Sequence, residues 1–296
     1  MKPHLYRILA VVLAGNLGIL EAAPPAIGTV TAKGAFRSNQ ATVSNNASLL
    51  EGATIETTTV GSSMELSSGA RFSLAPDSKG RFFGDRVVLE RGEGRLEKTV
   101  GLRVEARGLT IHPETGNSTG RIALLGNARV QLAALTGSFR VLNARGAVVA
   151  HLPPGLTLAF EPQGEGAGGI TKLTGTLQNK GGHYLITDET TNVTLEVTGA
   201  GLEKDVGWRV EVIGAADPGA TPVSDASQLI NATSVRRLQG RKAAAAGVGG
   251  AAGGAAAGAG IGAAISGTTI AVVGGIAAAA TVGGLAASGK LSGLSR

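Results

Sequence analysis

The stretch that decides the fold covers residues 49–96 and reads LLEGATIETTTVGSSMELSSGARFSLAPDSKGRFFGDRVVLERGEGRL. It repeats one unit, a short run of alternating apolar and polar residues followed by a turn that usually contains glycine. For example, Met64 and Leu66 alternate with polar residues before Gly69. Alternation with period two predicts short strands with one buried face, and glycine takes the positive φ of tight turns without steric cost. The stretch therefore predicts coiled or stacked short strands rather than one long flat sheet.

Three parts of this stretch also carry a family pattern: LEGATIET at 50–57, GSSMELSSGARFSL at 61–74 and VVLERGEG at 87–94. Together they resemble the FecR-like domain of bacterial envelope proteins, which opens with l-x-x-G-x-x-i-x-T and closes with v-x-L-x-x-G. A looser similarity continues to Leu156, so the resemblance covers roughly the first half of the mature chain. It implies a β-solenoid or β-roll module displayed outside the cytoplasm, and it carries over no catalytic residues.

Composition limits the class of protein. The chain has 296 residues, which favours two domains with tails. Aromatic residues make up only 3%, which indicates a thin core, and cysteine is absent, so disulfides, thiol nucleophiles and thiolate metal sites are excluded. The net charge of +6 comes from the two ends of the chain. Because the part between them is close to neutral, no nucleic-acid-binding face is expected.

The N-terminus predicts export. Lys2 and Arg7 precede a short apolar run from Ile8 to Leu20, and small residues at Ala22 and Ala23 follow it. This order is typical of a secretory signal peptide, assigned to residues 1–23. An uncleaved anchor is the alternative. Both interpretations place the chain outside the cytoplasm, in the periplasm or cell envelope.

Two β modules follow the leader. The first, the FecR-like module, covers residues 24–160 and ends at a glycine-rich linker, 161–169 (EPQGEGAGG). The second covers residues 170–238, with five predicted strands and a possible helical turn at residues 200–207. This order resembles a small OB-like β-barrel. Such barrels often bind single-stranded nucleic acid through aromatic residues in a basic groove, but Tyr184 and Trp208 are the only aromatics here, so a structural or oligosaccharide-facing role is favoured.

The C-terminal region, residues 239–296, holds a basic cluster and then an uncharged Gly/Ala-rich run from 243 to 289. Glycines at four-residue spacing let helices approach closely in a bilayer, and the run exceeds the ~20 residues of one span. We predict a helical, membrane-associated glycine zipper that also permits self-association. A flexible tail is the alternative. The predicted membrane-association residues are Gly250, Gly254, Gly258, Gly262, Ile270, Val273 and Ile276.

Two groups of polar residues resemble catalytic or metal-binding sets. His112 and Glu114 are two positions apart and could contact a metal, but a turn at Pro113 explains them better. Glu90, Glu93 and Glu97 resemble paired catalytic carboxylates. Basic residues at 91, 95 and 98 interleave with them, which favours a charged strand edge exposed to solvent.

A glycine pattern at residues 164–169 resembles the G-x-G-x-x-G of dinucleotide-binding loops. A helix should follow such a loop, whereas the next segment is β-like. The linker interpretation is therefore favoured. No cofactor and no metal site is predicted.

The sequence thus predicts a mainly β, non-catalytic protein of the cell envelope with a binding or scaffolding role. Its partner, an envelope protein or a glycan, is not identified by the sequence. The alternative is a sensor or regulatory component of FecR-type transmembrane signalling. An enzyme is disfavoured because no catalytic constellation is found.

Overall fold

The computed structural model describes residues 24–126, 128–162, 170–217, 219–223, 225–238, 270–273 and 276–280. Its strands form a two-layer β body and a closed barrel. The body contains β1 (Ala26–Ser38), β2 (Ala41–Leu50), β3 (Thr54–Glu56), β4 (Ser62–Leu66), β5 (Arg71–Leu74), β6 (Lys79–Phe82), β7 (Arg86–Arg91), β8 (Glu93–Lys98), β9 (Arg103–Ala106), β10 (Leu109–Pro113), β11 (Thr119–Leu124), β12 (Val130–Thr136), β13 (Phe139–Leu142), β14 (Val148–Leu152), β15 (Thr157–Pro162), β21 (Ile270–Val273) and β22 (Ile276–Ala280). The barrel contains β16 (Ile170–Lys180), β17 (His183–Thr187), β18 (Thr194–Thr198), β19 (Arg209–Asp217) and β20 (Leu229–Arg237). The mainly β fold class is confirmed.

The two layers of the body share β1. This strand pairs with β4 along its first half and with β3 at its end, while β2 lies on its other side. Layer A continues from β4 through β5, β8, β11, β12, β15, β22 and β21. Layer B continues from β3 through β6, β7, β9, β10, β13 and β14. The chain therefore moves repeatedly from one layer to the other, and the hairpin of β1 and β2 joins the layers at one end.

The pairing in the body is antiparallel between all described neighbours except β7 and β9. Short turns join consecutive strands such as β4 and β5, and a short turn makes its two strands antiparallel. The predicted short strands with glycine turns are therefore present. The pairing itself does not show the β-solenoid of the FecR-like expectation.

Aromatic side chains fill the space between the layers. The ring of Phe72 in layer A meets that of Phe82 in layer B edge to face, with centroids 5.8 Å apart. Further along, Gly120 of layer A leaves room for Phe139 of layer B, because a Cβ at Gly120 would lie 2.7 Å from the ring. All three phenylalanines are fully buried. Five of the six phenylalanines are buried in the core, among a larger number of aliphatic side chains.

The barrel closes in the order β16-β17-β18-β20-β19. Its neighbours are antiparallel except β18 and β20, which run parallel. A short 3-10 helix, Leu202–Asp205, lies between β18 and β19, inside the segment where the sequence predicts a helical turn. The predicted five-stranded barrel is therefore present, although its last strand starts at Leu229 rather than near Thr233.

The described residues of the C-terminal region are strands. The strands β21 and β22 form a hairpin, and β22 pairs with β15 from Leu158 to Pro162. Ile270, Val273 and Ile276 are thus in strands rather than in the helix predicted for them. Two physical factors explain the difference: β-branched residues favour strands, and β22 supplies the backbone partners that β15 needs on its free side.

We expect cleavage between residues 162 and 170 to leave two fragments that stay associated. The reason is that β22, on the C-terminal fragment, pairs with β15 on the N-terminal fragment. After limited proteolysis, both fragments should co-elute in size-exclusion chromatography. A control chain that ends at residue 238 lacks this pairing and should separate more readily. Separate elution of the fragments of the full chain would contradict the prediction.

Candidate functional site

The barrel packs against the ends of both layers. The backbone N–H of His151 in β14 donates a hydrogen bond of 2.7 Å to the carbonyl of Thr191, in the turn between β17 and β18. On the other layer, the backbone of β21 lies beside β16. The barrel therefore covers the last strand of each layer.

A polar cleft of about 330 Å³ lies at this junction. We call it the junction cleft. The body contributes Glu114, Arg140, Val148 and His151, and the barrel contributes residues 192–194 and 225–227. The two modules thus place two carboxylates, a guanidinium, an imidazole, an amide and hydroxyl groups around one space.

Glu114 contacts two other polar side chains of the junction cleft. Its Oε2 lies 2.8 Å from Nε2 of His151, and its Oε1 accepts a hydrogen bond of 3.4 Å from Arg140. Burial raises the pKa of Glu114, but the hydrogen bonds and charges of His151 and Arg140 outweigh it, so the pKa lies below its usual value. Glu114 is therefore ionised at neutral pH, and it holds the side chains of Arg140 and His151 beside it.

His112 lies in a neighbouring cavity of about 280 Å³ that it shares with Glu114 and Arg103. Burial, together with the charges of Arg103 and Arg140, lowers the pKa of His112, so its imidazole is neutral at neutral pH. A neutral imidazole can bind a metal, but Glu114 is engaged with His151. Among the described residues, no group of three or more His, Asp or Glu side chains could hold a metal ion.

The three carboxylates Glu90, Glu93 and Glu97 do not lie together. Glu90 is in layer B, whereas Glu93 and Glu97 are in layer A. Glu90 pairs with Lys79 on the outer side of layer B, Glu93 pairs with Arg121 in layer A, and Glu97 accepts a hydrogen bond from Ser73. Their strands β7 and β8 each have neighbours on both sides. The prediction of a strand edge is therefore wrong, because these strands lie inside the sheets, where Glu90 and Glu93 form cross-strand ion pairs; the predicted exposure of Glu90 and Glu97 to solvent is confirmed.

The outer side of β18 in the barrel is covered by the loop between β19 and β20. The backbone N–H of Val223 donates to Oε2 of Glu196 at 2.9 Å, and Nδ1 of His183 lies 2.7 Å from Oε1 of the same residue. Further along the loop, Asp225 pairs with Lys180. Outside this loop, Trp208 packs against Arg237, whose guanidinium carbon is 5.0 Å from the ring centroid. The loop thus occupies part of the surface over β18.

We expect the loop's attachment to weaken at acid pH. The hydrogen bond from Val223, with that from His183, lowers the pKa of Glu196 from its ordinary 4.5. A carboxylate with a lowered pKa in the folded state stabilises the protein above its unfolded pKa, and this contribution is lost as pH falls through the lowered value. Denaturant unfolding should therefore show a stability difference between the wild type and Glu196→Gln that shrinks from pH 6 to pH 3. A difference that stays constant with pH would contradict this assignment.

The predicted membrane residues are only partly described. Gly250, Gly254, Gly258 and Gly262 lie outside the described residues, as do the glycines of the linker, whereas Ile270, Val273 and Ile276 lie in the hairpin beside β15. In the described part of the chain, no helix has the length and hydropathy needed to cross a membrane.

No protein-family model matches the chain, and no curated protein is significantly similar to it. The FecR-like resemblance therefore stays a prediction that depends on the motifs at 50–57, 61–74 and 87–94.

The junction cleft itself was missed by sequence reasoning. Glu114 and His151 are 37 residues apart, and Asn192 belongs to the other module. The pairing of β10 with β13 and of β13 with β14 brings Glu114 and His151 together, and the contact between body and barrel adds Asn192. The sequence contains no local spacing that signals this contact, although His112 and Glu114 drew attention to one side of it.

Proposed function

We propose that this chain is a non-catalytic, exported protein of the cell envelope that binds a polar partner at the junction cleft. The observation that carries the proposal is that two modules contribute hydrogen-bonding side chains to one space. Sites between modules are common places for ligands, and a few well-placed polar groups give such sites their specificity. A glycan or a polar loop of an envelope protein offers the matching donors and acceptors.

The barrel's connectivity supports an OB-like classification. The first three strands follow one another, the third runs parallel to the fifth, and a helical turn separates the third from the fourth. Binding surfaces of OB-folds lie on strands two and three and on the adjoining loops. In this chain the loop between β19 and β20 contributes Asp225, Ala226 and Ser227 to the junction cleft. The OB-like classification and the junction cleft therefore indicate the same binding surface.

The proposal also includes export and membrane association, because the sequence pattern supports both. The leader at residues 1–23 supports export, and N-terminal sequencing of the mature protein should begin near residues 23–27. The glycine spacing from Gly250 to Gly262 supports association with a membrane through a segment ahead of β21. The alternative function, a sensor in FecR-type signalling, is supported by the resemblance alone.

The binding role is tested with the full chain and envelope fractions. Arg140→Glu reverses a charge in the junction cleft, where the side chain is 54% exposed, and should lower the captured amount of the partner at least tenfold. Arg71→Glu is the matched control, since Arg71 is 53% exposed and also pairs with one glutamate, on layer A. Equal capture by the wild type and both variants would overturn binding at the cleft. The captured molecule then separates the classes, because a sigma-regulatory protein would favour the sensor.

A further inference from the structure

Within the described residues, one end of the two-layer body has neither a further strand nor the barrel beside it. Among the described strands, β2, β14 and β21 each pair with a single neighbour in the body. The barrel contacts β14 through His151 and Thr191, and it contacts β21 through β16. The strand β2 pairs with β1 and has no described partner on its other side. It is therefore the open edge of both layers in the part of the chain that the structure describes.

The backbone of β2 directs hydrogen-bonding groups away from the body. The carbonyl of Ile27 accepts a hydrogen bond from Ser67, next to β4, so the backbone of Ile27 faces β4. Backbone groups of a strand alternate in direction, and hence those of Val30 face β2 and its partner Ala47. The N–H and C=O of Asn46 and Ser48 consequently point away from β1, where they are free to pair with another strand.

The composition of β2 does nothing to prevent such pairing. Natural edge strands are usually protected by charges, proline, bulges or short length. Residues 41–50 read ATVSNNASLL and contain neither a charged residue nor proline over ten residues. Its pairing with β1 has two irregularities, one at Asn45, whose φ is 68°, and one where Leu49 and Leu50 pair with Gly28 and Ala26. Residues Asn46 to Leu49 lie between these irregularities and pair with β1 in regular register, a length within the ordinary range for strands.

We propose that two copies of this chain associate by antiparallel pairing of their β2 strands over Asn46–Leu50. Antiparallel pairing around a two-fold axis places this segment opposite its own copy, so the two surfaces are identical. Like charges directly opposite each other would destabilise such a pair, and this segment has none. Its small residues Ala47 and Ser48 also let the strands approach closely. Layer A and layer B of one copy would thereby be continuous with those of the other.

The contact area of one strand pair is small, so the dimer should be weak and concentration-dependent. Light scattering on the full chain in mild detergent should show a mass that rises from one chain towards two as concentration increases. Ser48→Pro removes an outward N–H without breaking a bond to β1, and edge strands tolerate proline at such positions. Ser48→Lys places like charges on the two facing strands. Both variants should remain monomeric.

Ser63→Lys is the matched control, since Ser63 is exposed in β4, a strand with neighbours on both sides. This variant should dimerise like the wild type. Circular dichroism identical to that of the wild type shows that the variants at Ser48 are folded. The proposal is overturned if Ser48→Lys dimerises normally, or if only Gly254→Leu with Gly258→Leu abolishes the dimer, which would locate association in the tail. The proposal is also overturned if the wild type stays monomeric. If the wild type then captures another protein that Ser48→Lys does not capture, β2 pairs with a strand of that protein instead.

Discussion

We expect Phe72→Ala to lower the free energy of unfolding of the body by about 3–5 kcal/mol, the usual loss for a buried aromatic residue. Phe72 has no exposed surface. Its ring touches Phe82 across the layers, and it lies over Gly94, where an added Cβ would be 2.2 Å from the ring. The strands around this position are held by backbone pairing and cannot collapse into the space. A cavity should therefore remain after the substitution.

Far-UV circular dichroism during denaturant unfolding measures this loss. The chain has one tryptophan, Trp208, and its fluorescence reports the barrel separately. Phe83→Ala is the matched control, because Phe83 is half-buried and its ring is contacted by Arg86, with the guanidinium carbon 4.2 Å from the ring centroid. Its loss should be about 1–2 kcal/mol, from partial burial and a surface cation–π contact. Equal losses for the two variants would show that Phe72 is not central to the core.

Alternation predicts the strands of the body because each strand buries one face. The spacing of Met64 and Leu66 predicts that they point inward, and both are buried, as are Phe72 and Leu74 of the next strand. The same spacing says nothing about which strands become neighbours. For instance, β8 pairs with β5 and β11, which are separated from it in sequence by other strands of layer B. The division into two layers is set by these long-range pairings, so sequence pattern alone could not give it.

Two elements escaped prediction for physical reasons. The hairpin of β1 and β2 turns at Asn39 and Gln40, which have φ of 46° and 71°. Glycine is the usual residue at such angles. Because neither residue of this turn is glycine, the turn was not recognised in the sequence. The second element, β22, consists mostly of alanine and lacks alternation. It becomes a strand through its partner β15, more than a hundred residues earlier in the chain.

The candidate site was less predictable than the fold. A cleft between two modules depends on how they pack, and Thr191 reaches His151 only in the assembled protein. Sequence reasoning predicted two modules and a linker between them. It had no means to determine which of their ends meet. The residues that line the cleft are single polar positions in strands and turns, which have the same local pattern as other exposed positions.

The barrel side of that contact depends on Asp188, and Asp188→Ala should lower the stability of the barrel by about 3 kcal/mol or more, the loss expected when several buried donors lose their acceptor. Asp188 is 1% exposed. Its Oδ1 accepts the backbone N–H of Thr174 at 2.9 Å, and its Oδ2 accepts the N–H groups of Thr190 and Thr191 and the hydroxyl of Thr191. Burial raises the pKa of Asp188, while these hydrogen bonds oppose the shift. One carboxylate thus fixes β16 to the turn that contacts the body.

Trp208 fluorescence during denaturant unfolding measures the barrel directly. Asp188→Asn should lie between the wild type and Asp188→Ala, because the amide keeps one acceptor oxygen but turns its NH₂ towards a backbone N–H. Asp225→Ala is the matched control: this aspartate is 51% exposed and pairs with Lys180 at the surface, so its loss should be about 1 kcal/mol or less. Because Thr191 also accepts the N–H of His151, Asp188→Ala should in addition weaken partner capture at the junction cleft, whereas Phe83→Ala should not. A fully stable barrel in Asp188→Ala would show that the turn is held by its backbone alone, and the cleft would then have to be formed without this carboxylate.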